Sequence, residues 1–220
     1  MIQELESQGG VSKTHSPFNS PIWPVHKSDG GWRLTADHCS SNEVTPLLSA
    51  AVPVMLELQY ELESKAAKWY TNIDIANAFF SICLAPECRP QFAFIWKGVQ
   101  YTWNQLPQGW KHSPTICHGL NQATRDKSEA PKHLQYIDDI IIWGNTAEEI
   151  VEKGKKSIQI ILRAGFAIKQ SKVKGPAKEI RFLGVKCQDG HHQIPTEIIN
   201  KITVMAPPPA RRKLKLSWVP

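Results

Sequence analysis

The chain has 220 residues, enough to bury a sizeable core as one large or two modest domains. Lys and Arg number 26 against 20 Asp and Glu, a formal net charge of +6 that suits an anionic partner. No apolar run approaches a membrane span, and the five cysteines form no C-x-x-C pair, so neither a membrane protein nor a disulfide framework or zinc site is expected.

In chain order, residues 1–10 read as a short polar helix stopped by Gly9-Gly10. The proline-punctuated stretch with Pro17, Pro21 and Pro24 is extended and edge-like, because proline denies ladder hydrogen bonds. Ser28-Asp29-Gly30-Gly31 is a turn between two short strands whose arms carry Lys27 and Arg33. Residues 53–68 form an amphipathic helix, with Pro53 in its first turn and Val54, Leu58 and Leu62 on one face. Its aromatic and Met residues read as core. Residues 69–75 form an apolar strand that Asp74 interrupts, and Phe80 beyond it reads as core. Residues 91–103 are a hairpin turning at Lys97-Gly98, and residues 106–109 a tight turn. Ser113 and Pro114 open the next helix as N-cap and first residue, and it runs to about Arg125.

Residues 134–143 read L-Q-Y-I-D-D-I-I-I-W: two short strands joined at Asp138-Asp139. Two carboxylates side by side between apolar strands repel one another unless a cation sits there. Magnesium, which prefers carboxylate oxygens, fits that need, whereas the pair taken alone reads as an acidic surface turn. Thr146 and Glu149 then make a capping box for a helix that ends at Ala164-Gly165. Residues 166–170 and 180–187 read as strands, and residues 194–205 as a last strand entering a helix.

D-I-A-N-A-F-F at 74–80, L-P-Q-G-W-K-H-S-P-T at 106–115 and Y-I-D-D at 136–139, in this order and spacing, resemble the reverse transcriptases of retroviruses and endogenous retroviruses. The resemblance runs over about residues 1–205. It implies an α+β fold, the fingers and palm of a right-hand polymerase, with a ferredoxin-like β-α-β-β-α-β palm and a truncated thumb. Fingers would span 1–68 with 86–106 contributing, the palm 69–190, and the start of the thumb 191–208. The reaction implied is RNA-directed DNA synthesis, with a deoxynucleoside triphosphate added to a primer on an RNA or DNA template.

In that family reading Asp74 and Asp138 are the main ligands of two magnesium ions. Asp139 is secondary, and Ile75 adds its backbone. Lys27 and Arg33 close over the triphosphate, and Ile75-Ala76 present N–H groups to it. Phe79 is the gate that excludes a 2′-hydroxyl, Gln108 touches the nascent pair, and Phe182-Leu183-Gly184 is the primer grip. Cys39 and His38 depart from the pattern, which usually has Arg at the first of these, and Asn77 stands where Asp is common. The other reading is a catalytically weak or inactive nucleic-acid-binding remnant. The family's polyproteins also carry ribonuclease H, for whose carboxylates this chain has no room.

After Pro209 the chain reads A-R-R-K-L-K-L-S-W-V. Codons for the family's usual S-K-K-E-T-Q-A-F-L-G, read one base later, yield this string. The tail, residues 209–220, is therefore expected to reflect a frameshifted, truncated reading frame, with a basic nucleic-acid-binding tail as the alternative.

Overall fold

The computed structural model describes residues 2–26, 30–48 and 52–204. Lys27, the first half of its turn and the basic tail lie outside the described residues. The elements, in chain order, are α1 (Ile2–Ser7), β1 (Val11–Lys13), β2 (Ile22–His26), β3 (Trp32–Ala36), α2 (Cys39–Val44), α3 (Met55–Ser64), β4 (Trp69–Asp74), β5 (Ala93–Trp96) and β6 (Val99–Trp103). Then come α4 (Ser113–Lys127), β7 (His133–Tyr136), β8 (Asp139–Gly144), α5 (Ala147–Arg163), β9 (Val173–Ala177), β10 (Glu179–Phe182), β11 (Val185–Gln188), β12 (His191–Gln193) and α6 (Thr196–Val204).

The central sheet has the order β7-β8-β4-β9, all neighbours antiparallel. With α4 between β4 and β7, and α5 between β8 and β9, this is the β-α-β-β-α-β unit expected of the palm. Its inner strands β8 and β4 are buried on both faces, as the continuous Ile140-Ile141-Ile142 run requires. Ile140, Ile142 and Ile73 point into one core with Ile150 and Ile161 of α5 and Cys117 of α4. Ile141 and Tyr70 point into a second core with Leu58 and Leu62 of α3 and with Ile180 and Phe182 of β10. Each buried isoleucine contributes roughly 1.5–3 kcal/mol. That is enough to hold a sheet that must also carry carboxylates.

Smaller sheets surround this one: β1-β6-β5, the hairpin β2-β3, and β10-β11-β12. The β5-β6 hairpin turns at Lys97-Gly98, both at positive φ, as a two-residue turn requires.

Several expectations need correction. Residues 166–170 are not a strand: Ala167 makes only a single bridge to Ala76. The strand lies later, at β9, a proline-containing edge. Residues 180–187 are two strands around a turn, and α6 supplies most of the segment read as strand and helix. Met55 and Tyr60 are 39% and 58% exposed, so α3 buries only a narrow stripe and these two are not core. Phe80 is half-buried against the first core, edge-on to Trp103. Ser113 lies inside α4, and its hydroxyl donates to the Pro107 carbonyl (2.6 Å) instead of capping the helix.

Candidate active site

Asp74 is the last residue of β4, and strand register decides its neighbours. It pairs with Asp139, the first residue of β8, directly across the antiparallel ladder. On the other side β4 pairs with β9 at Ile73 and Val173, and the Lys172 ammonium reaches across to the Asp74 carboxylate. An Asp139–Asp74–Lys172 row thus crosses one end of the sheet.

Asp138 occupies the turn between β7 and β8. The sequence suggested that the two aspartates form the turn, but its central residues are Ile137 and Asp138, and Tyr136 pairs with Asp139. Ile137 takes φ +56°, a costly conformation for a β-branched residue. The surroundings hold it there. Its N–H donates to His118 Nδ1 (3.3 Å), and its carbonyl accepts from Asn121 Nδ2 (3.4 Å) and Gln135 Nε2 (3.3 Å). Burial lowers the His118 pKa, which suits a neutral ring accepting at Nδ1. His118 and Asn121 lie on α4. Sequence reasoning missed this positioning role because it needs the helix and the hairpin placed together.

The site is electrostatically tense. Burial, then the charges of Asp138 and Asp74, pushes the Asp139 carboxyl up to about 6. Burial also raises Asp138, with Asp74 adding to it. The hydrogen bond to Asp74 raises Lys172. A cleft of about 290 Å³ opens here, lined among others by Asn72, Asp74, Asp139, Lys172 and the Leu183-Gly184 turn. That turn joins β10 to β11, with φ +49° and +80°, the two positive angles of a tight hairpin. The expected primer-grip residues Leu183 and Gly184 therefore face the same cleft as Asp74 and Asp139, while Phe182 is buried beneath them.

A second cleft, about 450 Å³, gathers Arg33, Asn77, Phe80, Gln108 and Lys169. Asn42 braces its L-P-Q-G rim, donating to the Gly109 carbonyl (3.0 Å) and accepting from the Lys111 N–H (2.8 Å). Phe79 lies in the short 3-10 turn Ala78–Ser81, half-buried. The expectation for Ile75 and Ala76 does not fit this geometry. The Ile75 N–H donates to the Asp138 carbonyl and the Ala76 N–H to the Ala167 carbonyl, both at 3.0 Å. Neither has a hydrogen left for a phosphate.

Among the described residues no three His, Cys, Asp or Glu side chains converge in a ready-made metal cluster. The chemistry of the donor set nonetheless fits a hard divalent cation. Asp138 and Asp139 hold their protons unusually tightly, and beside them the Asp74 carboxylate is already paired with an ammonium.

Residues 25–187 match the family model described as reverse transcriptase (RNA-dependent DNA polymerase). The Pro-Pol polyprotein of Simian foamy virus type 1 is 29% identical over 215 residues, which cover 98% of this chain and 18% of that polyprotein. The Gag-Pro-Pol polyprotein of Human T-cell leukemia virus 2 is 30% identical over 202 residues, covering 87% of this chain and 14% of the relative. The chain thus spans less than a fifth of the length of these curated relatives. A foamy viral protease-reverse transcriptase solved in complex with double-stranded DNA superposes with a TM-score of 0.85 at 29% identity, over 94% of this chain and 36% of that one. The same foamy viral enzyme type, solved with an RNA/DNA hybrid, gives 0.80 at 28% identity, over 94% and 27%.

Proposed function

The chain belongs to the reverse transcriptase (RNA-dependent DNA polymerase) family, and from that premise we propose that it is the fingers and palm of a polymerase that extends a primer on an RNA or DNA template with deoxynucleoside triphosphates. The observation that carries this reading is the strand register that sets Asp74 beside Asp139, one residue from Asp138, in a cleft shared with the Leu183-Gly184 turn. The relatives solved with duplex DNA and with an RNA/DNA hybrid support nucleic acid as the partner. Fingers are assigned to 1–68 with 86–106, palm to 69–190, and the start of the thumb to 191–208.

Asp74, Asp138 and Asp139, with the Ile75 carbonyl, would hold the divalent ions, two Mg²⁺ in this reading. Such ions, when bound, make the primer 3′-hydroxyl easier to deprotonate and neutralise charge on the triphosphate. The remaining work falls to the chain's own residues. Arg33 offers a planar fork to phosphate oxygens. The Ile75 and Ala76 N–H groups, already bonded within the chain, are not donors to the triphosphate in this reading. Phe79 closes the space below the sugar at the 2′ position, and Gln108 borders the nascent pair. The Leu183-Gly184 turn positions the primer end beside the carboxylates. Rate enhancement rests on positioning and charge neutralisation.

Primer extension on an RNA template with Mg²⁺, alongside Asp138→Asn, tests this. Extension that disappears in the variant is expected. No extension by the parent chain, with salt-sensitive template–primer binding retained, would make it a nucleic-acid-binding remnant that does not copy.

A further inference from the structure

The row across the sheet end contains one residue to which the reading above gives no task. Lys172 ends the 3-10 turn Gln170–Lys172 and feeds directly into β9. The Ile73–Val173 pairing leaves Lys172 opposite Asp74, so backbone register delivers the ammonium to that carboxylate, where it is bonded to Oδ2. The pair is partly open to water, with side chains 48% and 30% exposed, so it adds little to stability. Its weight lies in what it occupies. The ammonium takes up one acceptor direction of Oδ2 and sets a positive charge beside the carboxylate, so a cation binding there meets both.

The other cations of the cleft do not share this position. Lys174, paired across from Asn72, has no ion-pair partner among the described residues, and Arg181 reaches Glu197 (3.3 Å) on α6. Removing Lys174 alters the local potential but frees no carboxylate oxygen. Comparing the two lysines therefore separates a general charge effect from occupancy of the ligand itself.

We infer that Lys172 is a positioning residue that stands in for the divalent cation at Asp74 and competes with it. This rests on the reading of Asp74 as a cation ligand. In the metal-free chain the ammonium holds the Asp74 carboxylate in place and offsets the negative charge that gathers beside Asp139. Cation binding then exchanges one positive charge for another. The site resists collapse when empty, at the cost of weaker cation affinity.

The test is Mn²⁺ binding to the full chain without nucleic acid, at fixed ionic strength, followed by the electron paramagnetic resonance signal of free Mn²⁺. Lys172→Gln should tighten binding about three- to tenfold, and Lys174→Gln by less than about twofold. Lys172→Arg, which keeps the charge and can keep the pair, should restore the parent affinity. Circular dichroism on each variant checks that the fold persists. Equal tightening by both Gln variants, or none by Lys172→Gln, would overturn the competition. Asp74→Asn binding Mn²⁺ as tightly as the parent would overturn the cation-ligand reading itself, and the competition with it. A loss of affinity in Asp74→Asn beside an unchanged Lys172→Gln would sink the competition alone.

Discussion

Asp139 shows how a functional group and a stabilising one can be opposites. Its carboxyl is pushed up to about 6, first by burial, then by Asp138 and Asp74. Between its ordinary value of 3.8 and about 6, the folded chain holds a proton that the unfolded chain has released. Stability from this group therefore falls as pH rises through that window, and at pH 7 ionised Asp139 works against the fold. Asp139→Asn should raise unfolding free energy at neutral pH by about 1–3 kcal/mol in a chelator-containing buffer, and clearly less at about pH 4. Urea denaturation at the two pH values measures this, and an equal gain at both would show that the charge is not the cause. The same substitution should cost primer extension about a hundredfold or more. The motifs of such residues were legible in the sequence: Asp74, Asp138, Asp139, Gln108 and the Leu183-Gly184 turn all line or adjoin the two clefts. The donors at Ile75 and Ala76 were not. Backbone hydrogen bonding is settled by partners from distant segments, here the turn at Asp138 and the bridge at Ala167.

At the level of elements, β9 was the hardest strand to see and the most consequential to miss. Its sequence, V-K-G-P-A, has neither apolar alternation nor β-branched density, and proline argues against a central strand. The fold accepts it because β9 is the sheet's edge. Without β9, nothing in the sequence brings Lys172 to Asp74. The strand depends on Gly175, at φ +106°, where a Cβ would lie 2.5 Å from the Tyr70 carbonyl oxygen and crowd Thr71. The β4-β9 register also shifts nearby, between Tyr70 and Asn72. Gly175→Ala should destabilise the chain by about 2–4 kcal/mol, since both the backbone angle and the packing resist it. Hydrogen exchange should show β9 losing protection before β7 and β8, and uniform loss across the sheet would contradict an edge-strand defect. By contrast, β4 was read correctly because its apolar run ends at a charged residue, and α5 because Thr146 and Glu149 cap it. The Thr146 hydroxyl accepts from the Glu149 N–H, and the Glu149 carboxylate accepts from the Asn145 N–H.

For the molecule as a whole, the +6 net charge and the cationic lining of both clefts predict template–primer binding driven by phosphate contacts. Affinity should fall by about a hundredfold or more between roughly 50 and 200 mM salt, linearly on a log–log plot. Fluorescence anisotropy reads the slope, and a flat dependence would remove phosphate contacts as the main source of affinity. The sheet order has a further consequence, for assembly in time. β7 and β8 are adjacent in sequence and can form their hairpin locally, whereas β4 must wait for β8 across the whole intervening segment, and β9 follows only after α5. Closing such long loops is slow compared with hairpin formation. During synthesis β4 emerges with both edges unpaired, and the charge of Asp74 at its end interrupts what would otherwise be an inviting apolar template for other chains. Replacing Asp74 by an apolar residue should therefore raise the yield of aggregate on refolding, as light scattering would read.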